Sequence, residues 1–155
     1  MTTSYADTQQ VTEVLHRMAW YQDRRRWDEL EYVLADTVAV AYGDPETELV
    51  TMPRAELLEN WRRGLEHTSS QHILTGVVVD ISGDTAHATL NETAWMQADQ
   101  SMGSPLYRFG TAMEAGLERC PEGWRIRRLR VIPLWSAGNA AVLGGWSAPS
   151  TSDRV

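Results

Sequence analysis

The chain has 155 residues, 43% of them hydrophobic and 23% charged, with 11 Gly and 6 Pro, the composition of an ordinary globular domain. This excludes collagen-like, disordered and disulfide-scaffold architectures, and a chain of this length buries roughly two-thirds of its unfolded surface, enough for a core around a small-molecule cavity. The 14 basic and 21 acidic residues leave a formal charge of -7, which argues against nucleic acid or an anionic membrane surface as partner.

All 14 basic residues are arginine, so Schiff-base chemistry on a lysine is excluded. The single cysteine, Cys120, sits in Arg119-Cys120-Pro121-Glu122-Gly123, where Pro and Gly mark a turn. It cannot form a disulfide within the chain and reads as an exposed bystander rather than a nucleophile. The start, MTTSYADTQQ, carries neither a basic leader nor an apolar run of membrane-spanning length, so a cytoplasmic protein is expected.

No repeat or linker divides the chain, which predicts one domain over residues 1–155 with its core at about 8–139. Val11, Val14, Leu15, Met18 and Ala19 recur at the spacing of an amphipathic helix after a polar Asp7-Thr8 start. A second helix is expected from Trp27 to Ala35, then two short strands at Val38 to Tyr42 and Glu48 to Met52. A third helix starts after Pro53, with Leu57, Leu58, Trp61 and Leu65 on one stripe and charged residues opposite. From Gln71 the signal changes to strands: His72 to Ile81, a Ser82-Gly83-Asp84 turn, Thr85 to Ala98, Leu106 to Leu117 and Trp124 to Leu134. The long strands form an antiparallel meander. The predicted class is α+β, a curved sheet wrapped round helices with a pocket between. Residues 140–155, rich in Ser, Ala and Gly, read as a flexible tail; Val142, Leu143 and Trp146 leave open a lid over the pocket mouth.

No Gly-rich phosphate loop, Cys/His metal spacing, nucleophile elbow or helical His pair is present. Phosphoryl transfer, dinucleotide redox chemistry and zinc hydrolysis therefore lack sequence support, and neither cofactor nor metal is expected. Four polar residues stand where a core prefers apolar ones. Asp23, at the end of the first helix, opposes the helix dipole and is either solvated or compensated by a partner. His72 shares a strand face with Leu74, Gly76 and Val78; alone it reads as a satisfied core histidine, whereas beside a buried carboxylate it becomes a general base. Glu92 interrupts the inward series Ala86, Ala88, Leu90, Ala94, Met96. A carboxyl on an apolar cavity wall can serve as proton donor, while a bulge or an interface ion pair are the alternatives. Tyr42 ends a short strand, either as a half-buried aromatic or with its hydroxyl aimed at a substrate carbonyl. Arg125, Arg127, Arg128 and Arg130 read as a solvated strand face, although a phase change between Ile126 and Leu129 leaves room for a bulge that turns one arginine inward.

The segments WYQDRRRWDELEYVLADTVAVAY, SSQHILTG, SGDTAHA and GWRIRRLRVIPLWSAGN, in this order, resemble the SnoaL-like branch of the NTF2-like superfamily, which includes polyketide cyclases, scytalone dehydratase and bile-acid dehydratase. The resemblance covers about residues 8–139. It implies a cone-shaped α+β barrel with three N-terminal helices, a deep cavity, and assembly as a homodimer or homotrimer. It also implies that Asp23, ahead of Trp27-Asp28, pairs with His72 in the cavity and that Tyr42 polarises the substrate carbonyl. Two positions depart from the dehydratase pattern: Gln22 stands where Tyr is common, and the second His of the long strand falls at Met96. Glu92 then becomes the candidate proton donor, and Trp61, Met96 and Met113 make the pocket greasier. The expected function is a cofactor-independent dehydratase or cyclase, a lyase or isomerase, acting on a hydrophobic, carbonyl-bearing polyketide-like or other secondary-metabolite intermediate. The alternatives are an epoxide-opening enzyme with Glu92 as acid, or a non-catalytic binding protein with a filled or shallow pocket and Asp23 apart from His72.

Overall fold

The computed structural model describes residues 4–100, 102–146 and 148. In chain order these form α1 (Tyr5–Asp23), α2 (Trp27–Leu30), β1 (Leu34–Tyr42), β2 (Val50–Pro53), α3 (Arg54–Leu65), β3 (Ser69–Ser82), β4 (Thr85–Gln97), β5 (Leu106–Cys120) and β6 (Gly123–Gly138), followed by a short 3-10 turn (Ala140–Leu143). The six strands make one curved, unclosed sheet in the order β2-β1-β6-β5-β4-β3. Every pairing is antiparallel except β1 with β6. The class is α+β, as the sequence predicts.

The inward stripe of α1, with Val11, Leu15, Met18 and Ala19 buried, packs into one core with Leu57, Leu58 and Trp61 of α3 and the inner face of the sheet. Removing these side chains from water is the main stabilising term of the assembly. A smaller cluster of Leu65, Ala94, Met96 and Val142 sits at one end, bordered by Tyr107, Phe109 and Leu143.

The second helix is shorter than expected. It ends at Leu30, and by Leu34 the chain is strand. The amide of Ile126 donates to the Val33 carbonyl at 2.8 Å, and Leu34 pairs with Ile126. Pairing with β6 overrides the helix preference of residues 31–35, whose period-3.6 pattern is only one turn long.

Bulges aim the inner face. In β3 the register against β4 shifts between Thr75 and Val78, at Gly76, whose φ of +62° suits a glycine. His72 and Leu74 thus face inward before the bulge, while Val77, Val79 and Ile81 pack on the core after it. Val78, expected on the His72 face, is instead 59% exposed. In β6 the register shifts where Gly116 pairs with Arg128 and Leu117 with Ile126, leaving Arg127 as the extra residue. This bulge turns no arginine inward: Ile126 and Leu129 are both buried, and Arg125 and Arg130 reach the backbone carbonyls of Glu31 and Thr47 instead. Cys120 ends β5 opposite Gly123 and is half-buried rather than fully exposed.

Candidate active site

Helix α1 ends on Asp23, where a carboxylate meets the negative end of the helix dipole. Three hydrogen bonds compensate. The Asp23 carboxylate accepts from the backbone N–H of His72 at 2.8 Å and the Ser70 hydroxyl at 2.9 Å, and it bonds the Nδ1 of the His72 ring at 2.6 Å. The two side chains are only 7% (His72) and 6% (Asp23) exposed, so the solvated alternative for Asp23 is not what the fold provides. Burial pushes the Asp23 carboxyl up, but the bonds from His72 and Ser70 outweigh it and hold the group below its ordinary value. Burial likewise pushes the His72 imidazole down. The bond to Asp23 and the negative charges of Glu92 and Asp23 outweigh that, and the ring lies above its ordinary 6.5.

The turn that carries this pair depends on Arg25, which takes a left-handed φ of 57° directly after α1. Its guanidinium donates to the Gln22 carbonyl at 2.6 Å, the Ser70 hydroxyl at 2.8 Å, and the Thr68 carbonyl and hydroxyl at 2.5 and 3.1 Å. Ser70 therefore accepts from Arg25 and donates to Asp23. Neither Arg25 nor Ser70 stands out in the sequence, because their partnership exists only once the start of β3 lies against the end of α1.

His72 faces a cavity of about 510 Å³ that Gln22, Tyr42, Trp61, Glu92, Met96 and Met113 also line. All eight sequence-derived candidates are thus placed at one site, with Asp23 behind His72. Glu92 keeps the inward register of β4: it lies opposite Thr111 on one side and Leu74 on the other, one pleat from His72. It is 6% exposed, and its Oε2 accepts from the Thr111 hydroxyl at 3.0 Å. Thr111 interrupts the inward series Tyr107, Phe109, Met113, Ala115 as Glu92 interrupts its own, so the alternation of β5 carries the signal that would have found it.

Tyr42 accepts a hydrogen bond from Trp61 Nε1 at 2.7 Å, which leaves its own O–H free to donate. Burial, then the nearby Glu92 charge, push the phenol up against the Trp61 bond, so it stays protonated. Trp146 meets the Tyr42 ring edge-on at 5.5 Å between centroids and donates to Asn60 at 3.2 Å. With Leu143 it lines the cavity, so the described part of the terminal segment borders the pocket; residues 147 and 149–155 lie outside the described residues. Among the described residues no group of three or more His, Cys, Asp or Glu side chains could hold a metal ion.

The family model of the SnoaL-like domain matches residues 3–130. The chain belongs to the SnoaL-like family. Solved structures similar to this SnoaL-like chain share its fold at low identity. A protein from Kribbella flavida aligns with a TM-score of 0.81 at 19% identity, covering 90% of this chain and 98% of its own. An NTF2-like family protein from Streptomyces avermitilis, provisionally named a dehydratase, gives 0.72 at 20% identity, covering 85% and 99%. A Novosphingobium aromaticivorans protein, provisionally named a scytalone dehydratase, gives 0.74 at 12% identity, covering 86% and 88%. No curated protein matches by sequence. Among the described residues no helix of this SnoaL-like protein is long and apolar enough to cross a membrane.

Proposed function

We propose that this SnoaL-like protein is a lyase, a cofactor-independent dehydratase or cyclase that acts by general acid–base chemistry on a hydrophobic, carbonyl-bearing polyketide-like intermediate. The observation that carries this is the 2.6 Å bond between Asp23 and His72 Nδ1 in the wall of a mostly apolar cavity. With Nδ1–H given to Asp23, the lone pair of Nε2 is the base left for the substrate.

In a dehydration, Nε2 of His72 removes the proton next to the carbonyl. Tyr42, kept protonated by burial, donates to the carbonyl oxygen as enolate charge develops there. The neighbouring C–O bond then breaks, and the departing hydroxyl takes the proton that His72 removed, relayed through the Glu92 carboxylate, and leaves as water. His72 is then again a free base and Glu92 again a carboxylate. Gln22, Trp61, Met96 and Met113 hold the apolar body of the substrate and exclude water. A non-catalytic binding protein is less well supported, since that reading expects Asp23 and His72 apart.

A bicyclic β-hydroxy ketone, a hydroxytetralone, tests the proposal, because its dehydration gives a naphthol with strong ultraviolet absorbance. Turnover that falls by about two to four orders of magnitude in His72→Ala, the usual worth of a general base, is the expected result. Unchanged turnover in that variant removes the acid–base reading. Unchanged turnover in Glu92→Gln alone removes Glu92 as proton donor.

A further inference from the structure

The cavity wall holds an acid and a base but no permanent cation. All 14 basic residues of the chain are arginine, and among the described residues none lines the cavity. The nearest to the catalytic pair, Arg25, spends its guanidinium on Gln22, Thr68 and Ser70. Arg130 is engaged on the Thr47 carbonyl, Arg62 and Arg63 on Glu59, and Arg108 over the Trp95 ring. His72 can carry a positive charge, but Asp23 already faces it. The remaining ionisable groups on the wall are Glu92, Tyr42 and Tyr107, none of which supplies positive charge.

A carboxylate or phosphate brought into such a space loses its hydration and finds no counter-charge, which is among the most costly events in a protein interior. A hydroxyl loses far less, provided it meets an acceptor. Glu92 is that acceptor: Oε2 is taken by Thr111 at 3.0 Å, which leaves Oε1 for a ligand.

We infer that the cavity selects an uncharged, hydroxyl-bearing ring ligand and rejects its carboxylate counterpart, with Glu92 enforcing the choice. The inference rests on this cavity being the substrate site of the proposed lyase, but its test reads binding rather than turnover. Calorimetric titration of the full chain at neutral pH with naphthol, naphthoate, naphthamide and naphthylmethylammonium separates charge from shape. Naphthol and naphthamide should bind, with naphthoate weaker by roughly tenfold or more, the ratio of about one unpaired charge penalty at a partly screened site. Glu92→Gln should narrow the naphthol-to-naphthoate gap by strengthening naphthoate.

Naphthoate binding as tightly as naphthol overturns the inference, as does tighter binding of the ammonium ligand, which would mark a cation site. A naphthamide as weak as naphthoate would show that shape and not charge decides, and failure of all four to bind removes the ligand class. A gap unchanged in a folded Glu92→Gln protein removes Glu92 as the enforcing group. If that variant does not fold, the naphthoate-to-naphthamide comparison in the unaltered protein decides alone. An inert hydroxytetralone alongside intact charge discrimination would remove the lyase and leave the selective cavity.

Discussion

Arg25 shows how one residue can set the electrostatics of a site it does not enter. A non-glycine residue in the left-handed region costs about 1–2 kcal/mol, and here the guanidinium bonds to Ser70 and Thr68 offset that cost. The same positive charge opposes the protonation of His72, whereas Asp23 and Glu92 favour it. The signs make a paired prediction. In Asp23→Asn the bond and attraction that raise the imidazole are lost while burial still pushes it down, so His72 should titrate below its position in the parent. In Arg25→Met the opposing charge is lost and His72 should titrate higher. Imidazole NMR titrations check both directions. Because a base works only when deprotonated, the acidic limb of turnover should move the same way, to lower pH for Asp23→Asn and to higher pH for Arg25→Met. Two shifts of the same sign would mean that Arg25 acts only on the fold of the turn. At this scale the inward aim of Glu92 was legible from strict alternation in β4. Arg25 and Ser70 were not, because a left-handed turn and a contact 45 residues away in sequence leave no local pattern.

Strands and helices were legible where the period ran long enough to outvote local ambiguity. The 19 residues of α1 repeat their apolar face several times, and β4 alternates between its two faces over all 13 of its residues. The four-residue α2 was overextended because Trp27 to Ala35 fits a helix as well as a strand until β6 arrives to pair with it. Bulges were harder, since one extra residue reverses every face beyond it. Gly76 is the informative case. Without its bulge, the face that carries His72 and Leu74 would go on to bury Gly76, Val78 and Asp80 in place of Val77, Val79 and Ile81. A Cβ added at Gly76 would meet only the Asn91 amide, at 3.4 Å, so crowding is slight and the left-handed φ of +62° is the obstacle. Gly76→Ala should therefore lower unfolding stability by about 1 kcal/mol in a urea titration, after allowing for the smaller entropy of the unfolded chain. Gly76→Asn should cost less, because asparagine tolerates this region. Equal stability of all three would mean that the bulge does not depend on the backbone conformation of this residue.

The whole molecule brings α1, α3, the curved sheet and the terminal segment to one cavity, where the last of these seats Trp146 against Tyr42 and Asn60. That seat exists because residue 64 of α3 has no side chain. A Cβ on Gly64 would fall 2.5 Å from Trp146 Cδ1 and 3.0 Å from Nε1, closer than carbon atoms tolerate, so the indole would have to leave. The backbone of Gly64 is helical and needs no glycine; alanine there should favour α3 by up to about 1 kcal/mol. Gly64→Ala therefore separates closure from stability. Its melting temperature should stay close to that of the parent, because the helix gain offsets part of what the displaced indole loses, while Trp146 becomes more open to quenching by acrylamide and bound naphthol dissociates faster in stopped-flow fluorescence. Trp146→Ala should speed dissociation by a similar factor without the helix gain. The energetic link is simple: the indole loses its edge-on contact with Tyr42, worth about 0.5–1.5 kcal/mol beyond burial, together with one hydrogen bond. Equal dissociation rates in parent and Gly64→Ala, with Trp146 demonstrably displaced, would show that ligands leave by another route and that the terminal segment supports the wall without closing the mouth.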